Sequence, residues 1–244
     1  MGVRGKLTKS KMGWCMPVDA PAYGPPPGYF KQARFLRFDY ETNPGSASEI
    51  VPEQLTLTDP ATAAVMFVEY PWSTAGYYRE AFLGVNVMYG DEKLFYACYL
   101  MLTKAGFGGR EVSGFPKKMG VVEFVQYEDV MGAYMERPAG FRICSGLMRP
   151  EQLVEMPPDM GPSAICNLRV IPNPVMGKPP SLVELIKIVG SHKNMEVFYG
   201  PGNVHFTGMS ALDPWHKVPV VNMISSTYIT ADLTFKDSEI LETL

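Results

Sequence analysis

At 244 residues, with 46% hydrophobic and 19% charged residues, the chain has enough apolar side chain for a sizeable core and no long polar tract of the kind that keeps a chain disordered. Its formal net charge of −3 excludes the basic footprint that nucleic acid or an anionic membrane surface would call for. Neither partner is expected.

The N-terminal MGVRGKLTKSKMGW is basic but lacks the apolar run of a signal peptide, and nowhere do about 18 apolar residues follow one another without a charge. A soluble, cytoplasmic protein is expected. The stretch PAYGPPPGY, from Pro21 to Tyr29, is rich in proline and glycine, so residues 1–30 are read as a stiff, extended lead-in. Runs of mixed β-branched and aromatic residues then follow: ARFLRFDYE from Ala33, AAVMFVEYPW from Ala63, YREAFLGVNVMYG from Tyr78 and EKLFYACYLML from Glu92. Further runs start at Val121, Gly132, Phe141, Ile165, Val204 and Met223, and many are bounded by Gly, Pro, Asn or Asp, as strands are. Gly90 and Asp91, between two such runs, predict a hairpin turn.

Helical patterns are fewer and short. They are SASEIVPEQL from Ser46 to Leu55, LMLTKAGFGGREV from Leu100, SLVELIKIVG from Ser181, and the DSEILETL tail. The fold class is therefore mainly β with a few short helices. With no internal repeat and no convincing boundary, residues 1–244 are read as one domain whose strands close into a barrel or stack as a sandwich.

Cys15, Cys98, Cys144 and Cys166 form no CxxC pair and are expected to be free, buried thiols. His192, His205 and His216 lie 13 and 11 residues apart, a spacing read as structural. No metal site is expected.

One segment departs from this pattern. GREVSGFPKKMGVVEF, from Gly109 to Phe124, sets Lys117 and Lys118 side by side behind a proline among apolar residues, including Phe115 and Met119. Successive side chains of an extended segment point to opposite faces, so one lysine faces inward and its neighbour outward. A lysine attacks a carbonyl only as the neutral amine, which at pH 7 is roughly one in 2,500 of free lysines. Apolar burial or a nearby cation raises that fraction.

GREVSGFPKKMG resembles the active-site segment of the acetoacetate decarboxylase family, and VPEQL, LRVIPN, the ELI of LVELIKI, YGPGNVHF and VPVVNMISSTYITADL have counterparts there in the same order. The resemblance implies a closed antiparallel β-barrel wrapped by further sheet, a homo-oligomer, no cofactor, and a small oxo-acid or ketone as substrate. It implies Lys117 as the nucleophile that forms an imine, the activated lysine that this family exemplifies, with Lys118 beside it. Decarboxylating members also carry an arginine and two glutamates around that lysine. The second glutamate falls on Glu80, the implied general acid/base, but the first falls on Val65 and the arginine on Ala33.

Arg34 follows Ala33 but needs a bulge to reach the same face. Glu69 shares the face of Val65 about 13 Å further along. Tyr228, on a strand that the family places near the pocket, is implied as a proton relay, and Arg110 as a supporting residue of the motif. The missing arginine removes a charge-assisted contact to a carboxylate. Aldol condensation or cleavage, or dehydration, is accordingly expected over efficient decarboxylation of acetoacetate. The alternatives are a true β-keto acid decarboxylase and a non-catalytic binder of an apolar ligand.

Overall fold

The computed structural model describes residues 2–154 and 164–244. Its strands are β1 (Gly28–Glu41), β2 (Thr56–Leu57), β3 (Thr62–Tyr70), β4 (Trp72–Ser73), β5 (Tyr78–Tyr89), β6 (Glu92–Leu102), β7 (Lys117–Met119) and β8 (Val121–Tyr127). They continue with β9 (Val130–Glu136), β10 (Arg142–Met148), β11 (Gln152–Val154), β12 (Ala164–Ile171), β13 (Leu182–Tyr199), β14 (Gly202–Phe206) and β15 (Asn222–Thr243). The α-helices among the described residues are α1 (Pro44–Ser48) and α2 (Phe107–Glu111).

The larger sheet runs β2-β5-β3-β1-β15-β13-β12-β6-β7, with β11 on β13 and β4 on β1. Because β5 pairs with β6 as well as with β3, the ladder β5-β3-β1-β15-β13-β12-β6 returns to β5. Its strands are not all antiparallel, which corrects the expectation from the sequence: β6 pairs in parallel with both β12 and β7. The second sheet has the order β14-β10-β9-β8.

Two of the predicted helices are strands. All of SLVELIKIVG after Ser181 lies in β13 and all of DSEILETL before Leu244 in β15, strands that pair with each other over much of their length. Short apolar runs fit either period. Here the choice fell to β13, whose N–H and C=O groups are taken up by β12 on one side and β15 on the other. The first predicted helix shortens to α1, capped by the Asn43 side chain accepting from the Ser46 amide. Gly90 and Asp91 make the expected hairpin, joining Tyr89 of β5 to Glu92 of β6.

Alternation gives the larger sheet two apolar faces. On one, Leu36, Phe38, Val65, Phe67 and Leu83 pack with Val122, Met135 and Ile143 of the second sheet. On the other, Ala33, Met66, Val68, Tyr70, Phe82 and Phe95 form a separate cluster. The second face carries the cavity described below.

All four cysteines are free, but Cys15 and Cys98 are only partly buried, a correction to the reading of four buried thiols. Burial pushes the Cys144 thiol well up and the Cys166 thiol up to about 12. The thiolate is the reactive form. At pH 8, Ellman's reagent should label Cys15 in the native protein and leave Cys144 and Cys166 untouched until urea unfolds the chain, as peptide mass spectrometry will read directly.

Candidate active site

Lys117 is placed by a short parallel pairing. Strand β6 runs out of the sheet into α2, and the chain returns so that Lys117, Lys118 and Met119 lie opposite Leu100, Met101 and Leu102. Leu100 belongs to the cavity-side cluster and Met101 to the core between the sheets. The lysines divide accordingly. Lys117 lines the cavity, whereas Lys118 is exposed and donates to Asp213 Oδ1 at 2.9 Å and to the Leu212 carbonyl at 2.6 Å. Arg137 Nη1 donates to the other oxygen of Asp213 at 2.7 Å.

The return loop is held from β12. Asn167, fully buried, donates from Nδ2 to the Ser113 carbonyl at 2.9 Å. Arg169 donates from Nε to the Glu111 carbonyl at 2.6 Å and from Nη1 to Glu184 at 2.7 Å. Gly114 has φ +67, and a Cβ there would sit 2.9 Å from the Arg169 backbone. On the other side the lysine stem lies directly on α2, where a Cβ on Gly109 would come within 2.8 Å of Lys117 Cε and Nζ. A side chain at Gly109 would displace the end of that lysine.

The Lys117 side chain is 11% exposed, and Nζ lies 3.6 Å from Glu80 Oε2. It also lies 5.3 Å from the ring centre of Phe115 and 5.7 Å from that of Tyr78. Glu80, on β5, is buried. Its Oε1 accepts from the Tyr70 hydroxyl at 2.8 Å, while Oε2 has no hydrogen-bond partner. A buried carboxylate oxygen without a donor is unusual, and this one points at the amine. Burial, and secondarily the Glu80 carboxylate, hold the Tyr70 and Tyr78 phenols well above the ordinary range, so both remain protonated donors.

These groups line a cavity of about 440 Å³ whose walls include Phe30, Phe35, Met66, Phe82, Phe95 and Phe115. The other charged residues on it are Arg37 and the exposed Lys236. Arg37 is buried and bound through Nε and Nη2 to Asp39 at 2.8 and 2.6 Å. The N-terminal lead-in contributes Trp14, Tyr23 and Pro25 to Pro27 to the wall, so it belongs to the site and is more than a spacer. Tyr23 is tied down by donating its hydroxyl to the Glu111 carboxylate.

Several residues assigned from the sequence lie elsewhere. Val65 faces the core between the sheets, because alternation along β3 turns Met66 into the cavity instead. Tyr228 pairs opposite Leu36 and packs with Phe198 on that same side, away from the cavity. Burial raises its phenol, with smaller influences from Arg34, Glu69 and Glu196. Arg110 and Met119 are exposed and do not line the cavity.

Ala33 is buried in the cavity-side cluster. A bulge does occur beside it, with Gln32 at φ 53, but Arg34 is not turned inward. It stays exposed, donating to Glu69 Oε2 at 3.3 Å, while Glu69 Oε1 accepts from Arg79 and Tyr77. Tyr70, Tyr78 and Arg37 are site residues that the sequence reading missed. For Arg37 a signal existed: it stands four residues after Ala33, hence on the same face of β1. Among the described residues no group of three or more His, Cys, Asp or Glu side chains could hold a metal ion. None of their helices is long and apolar enough to cross a membrane.

The site thus sets a lysine amine beside a half-satisfied carboxylate, in an apolar cavity on a strand-rich scaffold. The acetoacetate decarboxylase family model matches residues 15–244, and the chain belongs to that family. A decarboxylase of Cochliobolus heterostrophus is 28% identical over 237 residues, covering 93% of this chain and 94% of its own. The crystal structure of acetoacetate decarboxylase from Legionella pneumophila is 21% identical, with a TM-score of 0.83 over 99% of this chain and 98% of that one. An enduracididine biosynthesis enzyme, solved with the condensation product of pyruvate and imidazole 4-carboxaldehyde, is 15% identical with a TM-score of 0.76 over 99% of each chain. These last two likenesses speak for the fold.

The glycine beds give a prediction. Gly114→Ala must adopt a left-handed backbone at a cost of about 1–2 kcal/mol and also displace the Arg169 backbone. Urea unfolding should register at least that loss. Gly109→Ala, by contrast, should leave the unfolding midpoint nearly unchanged and push the Lys117 stem aside, which loss of carbonyl trapping at that residue will report.

Proposed function

We propose that the protein is a carbon–carbon lyase that forms an imine between Lys117 and the ketone of a 3-oxo acid and releases carbon dioxide. The observation that carries this reading is the free Oε2 of Glu80, 3.6 Å from Lys117 Nζ inside an apolar cavity. Glu80 takes one proton from the protonated Lys117, and the neutral amine adds to the ketone carbon. Glu80 passes that proton to the alkoxide so formed, takes a second from the nitrogen and gives it to the carbinolamine hydroxyl, which leaves as water and yields the protonated imine. The imine nitrogen then draws in the electron pair of the bond to the carboxylate. Carbon dioxide departs and an enamine remains, which is protonated at carbon and hydrolysed to the shortened ketone and free lysine.

Tyr70 fixes one oxygen of Glu80 so that the other stays aimed at the amine. Proton transfer by such a positioned carboxylate contributes about 10²–10⁴-fold in rate. The decarboxylase of Cochliobolus heterostrophus, matched along nearly its whole length, supports decarboxylation over the aldol chemistry that the missing arginine suggests. One observation keeps the aldol reading in play: Ala33 puts a methyl group where decarboxylating members carry that arginine, and no neighbour restores a free guanidinium there. The same enamine would attack an aldehyde, as the condensation product bound to the enduracididine enzyme illustrates for that protein.

Incubation with a 3-oxo acid should release carbon dioxide, and borohydride should trap the substrate as a stable adduct on Lys117. Lys117→Ala should abolish both, while Glu80→Gln should lower kcat by about 10²–10⁴-fold with the fold intact by circular dichroism. Condensation of a 2-oxo acid with an aldehyde, without carbon dioxide release from any 3-oxo acid, would favour the aldol reading. Absence of an adduct across a panel of carbonyl compounds would leave a binder of apolar ligands.

A further inference from the structure

We infer that the substrate is a ketone with an extended apolar tail, directed inward from Lys117 toward Phe82, Phe95 and Ile165, and that a four-carbon oxo-acid is a poor fit. This rests on the imine reading above and adds the size and polarity of what binds there.

Volume is the first argument. At about 440 Å³ the cavity falls among pockets of about 300–1,000 Å³ that enclose drug-sized ligands. A four-carbon oxo-acid displaces little more than three or four waters, roughly 100 Å³ at about 30 Å³ per water. Filling the remainder with water requires polar partners, two to four for each molecule. Beyond the lysine the walls offer few of them: Phe35, Met66, Phe82, Phe95, Ile165 and Leu233 are apolar.

Polarity then sets the direction. Glu80 and Phe35 lie in one cross-strand row through Val68, while Phe82 and Arg37 lie in the next through Met66. Arg37 leans from that row onto Asp39, further along β1, and its Nε and Nη2 are both occupied there. The inner end therefore holds aromatic rings and a neutralised pair. Ser191, His192 and the exposed Lys236 line another part of the wall. A carboxylate belongs with those groups and open water, because an ion moved inward loses hydration without gaining a free cation. That leaves the inner end to the tail.

The test uses the whole protein and a homologous series of methyl ketones, from acetone to 2-undecanone, at equal subsaturating concentration with borohydride. Hydride from borohydride reduces the carbon–nitrogen double bond to a secondary amine, and intact mass and peptide mapping give the yield on Lys117. The yield should rise about three- to four-fold per added methylene until the tail fills the cavity, and kcat/KM for the matching 3-oxo acids should climb in parallel. Ile165→Phe, checked by circular dichroism, should make the rise level off at a shorter chain. A flat or falling series with trapping retained would overturn the apolar tail and leave the imine standing. An unmoved levelling point in the folded variant would overturn the inward direction, and no adduct with any ketone would defeat the reading on which the inference rests.

Discussion

The contact between Lys117 and Glu80 is the constraint around which the rest of the site is organised. An amine and a carboxylate cannot be kept together in an apolar cavity by attraction alone, because removing both from water costs several kcal/mol per ion. The protein offsets that cost with fixed geometry. Tyr70 satisfies one oxygen of Glu80, the faces of Tyr78 and Phe115 lie beside the ammonium, and Asn167 and Arg169 pin the loop that delivers the lysine. What is left unsatisfied is one carboxylate oxygen facing one amine, which is where proton transfer is useful.

Strand alternation sorts the charged residues around that contact. Lys117 and Lys118 differ by one position and end in different environments, one in the cavity and one on Asp213. The same parity rule separates Met66 from Val65 on β3 and Arg37 from Arg34 on β1. A one-residue error in register therefore exchanges a cavity residue for one in the core between the sheets. Val65, on which the family's first glutamate falls, lies on the core side of β3 for that reason.

Most strands were legible from their β-branched and aromatic runs and from the turn residues between them, and the lysine pair stood out through its apolar surroundings. Segments of either period were not legible. SLVELIKIVG and the C-terminal tail read as short helices, because their apolar spacing fits a helix and the pairing of β13 with β15 joins segments far apart in the chain. Tyr70 was hidden for a related reason: nothing local in FVEYPW tells its hydroxyl from that of any other core tyrosine, and its role appears only when β3 and β5 pair.

By itself the sequence determined the strand-rich class, the inward and outward division of the two lysines, and the chemistry open to an amine in an apolar setting. These are local properties, carried by side-chain alternation and by a short motif. Only the tertiary structure decided that Tyr70 holds one oxygen of Glu80, that the N-terminal lead-in completes the cavity wall, and that Tyr228 and Val65 lie outside it. Those facts depend on cross-strand register and on contacts between residues far apart in the chain, such as Tyr23 with Glu111, and no local pattern encodes them.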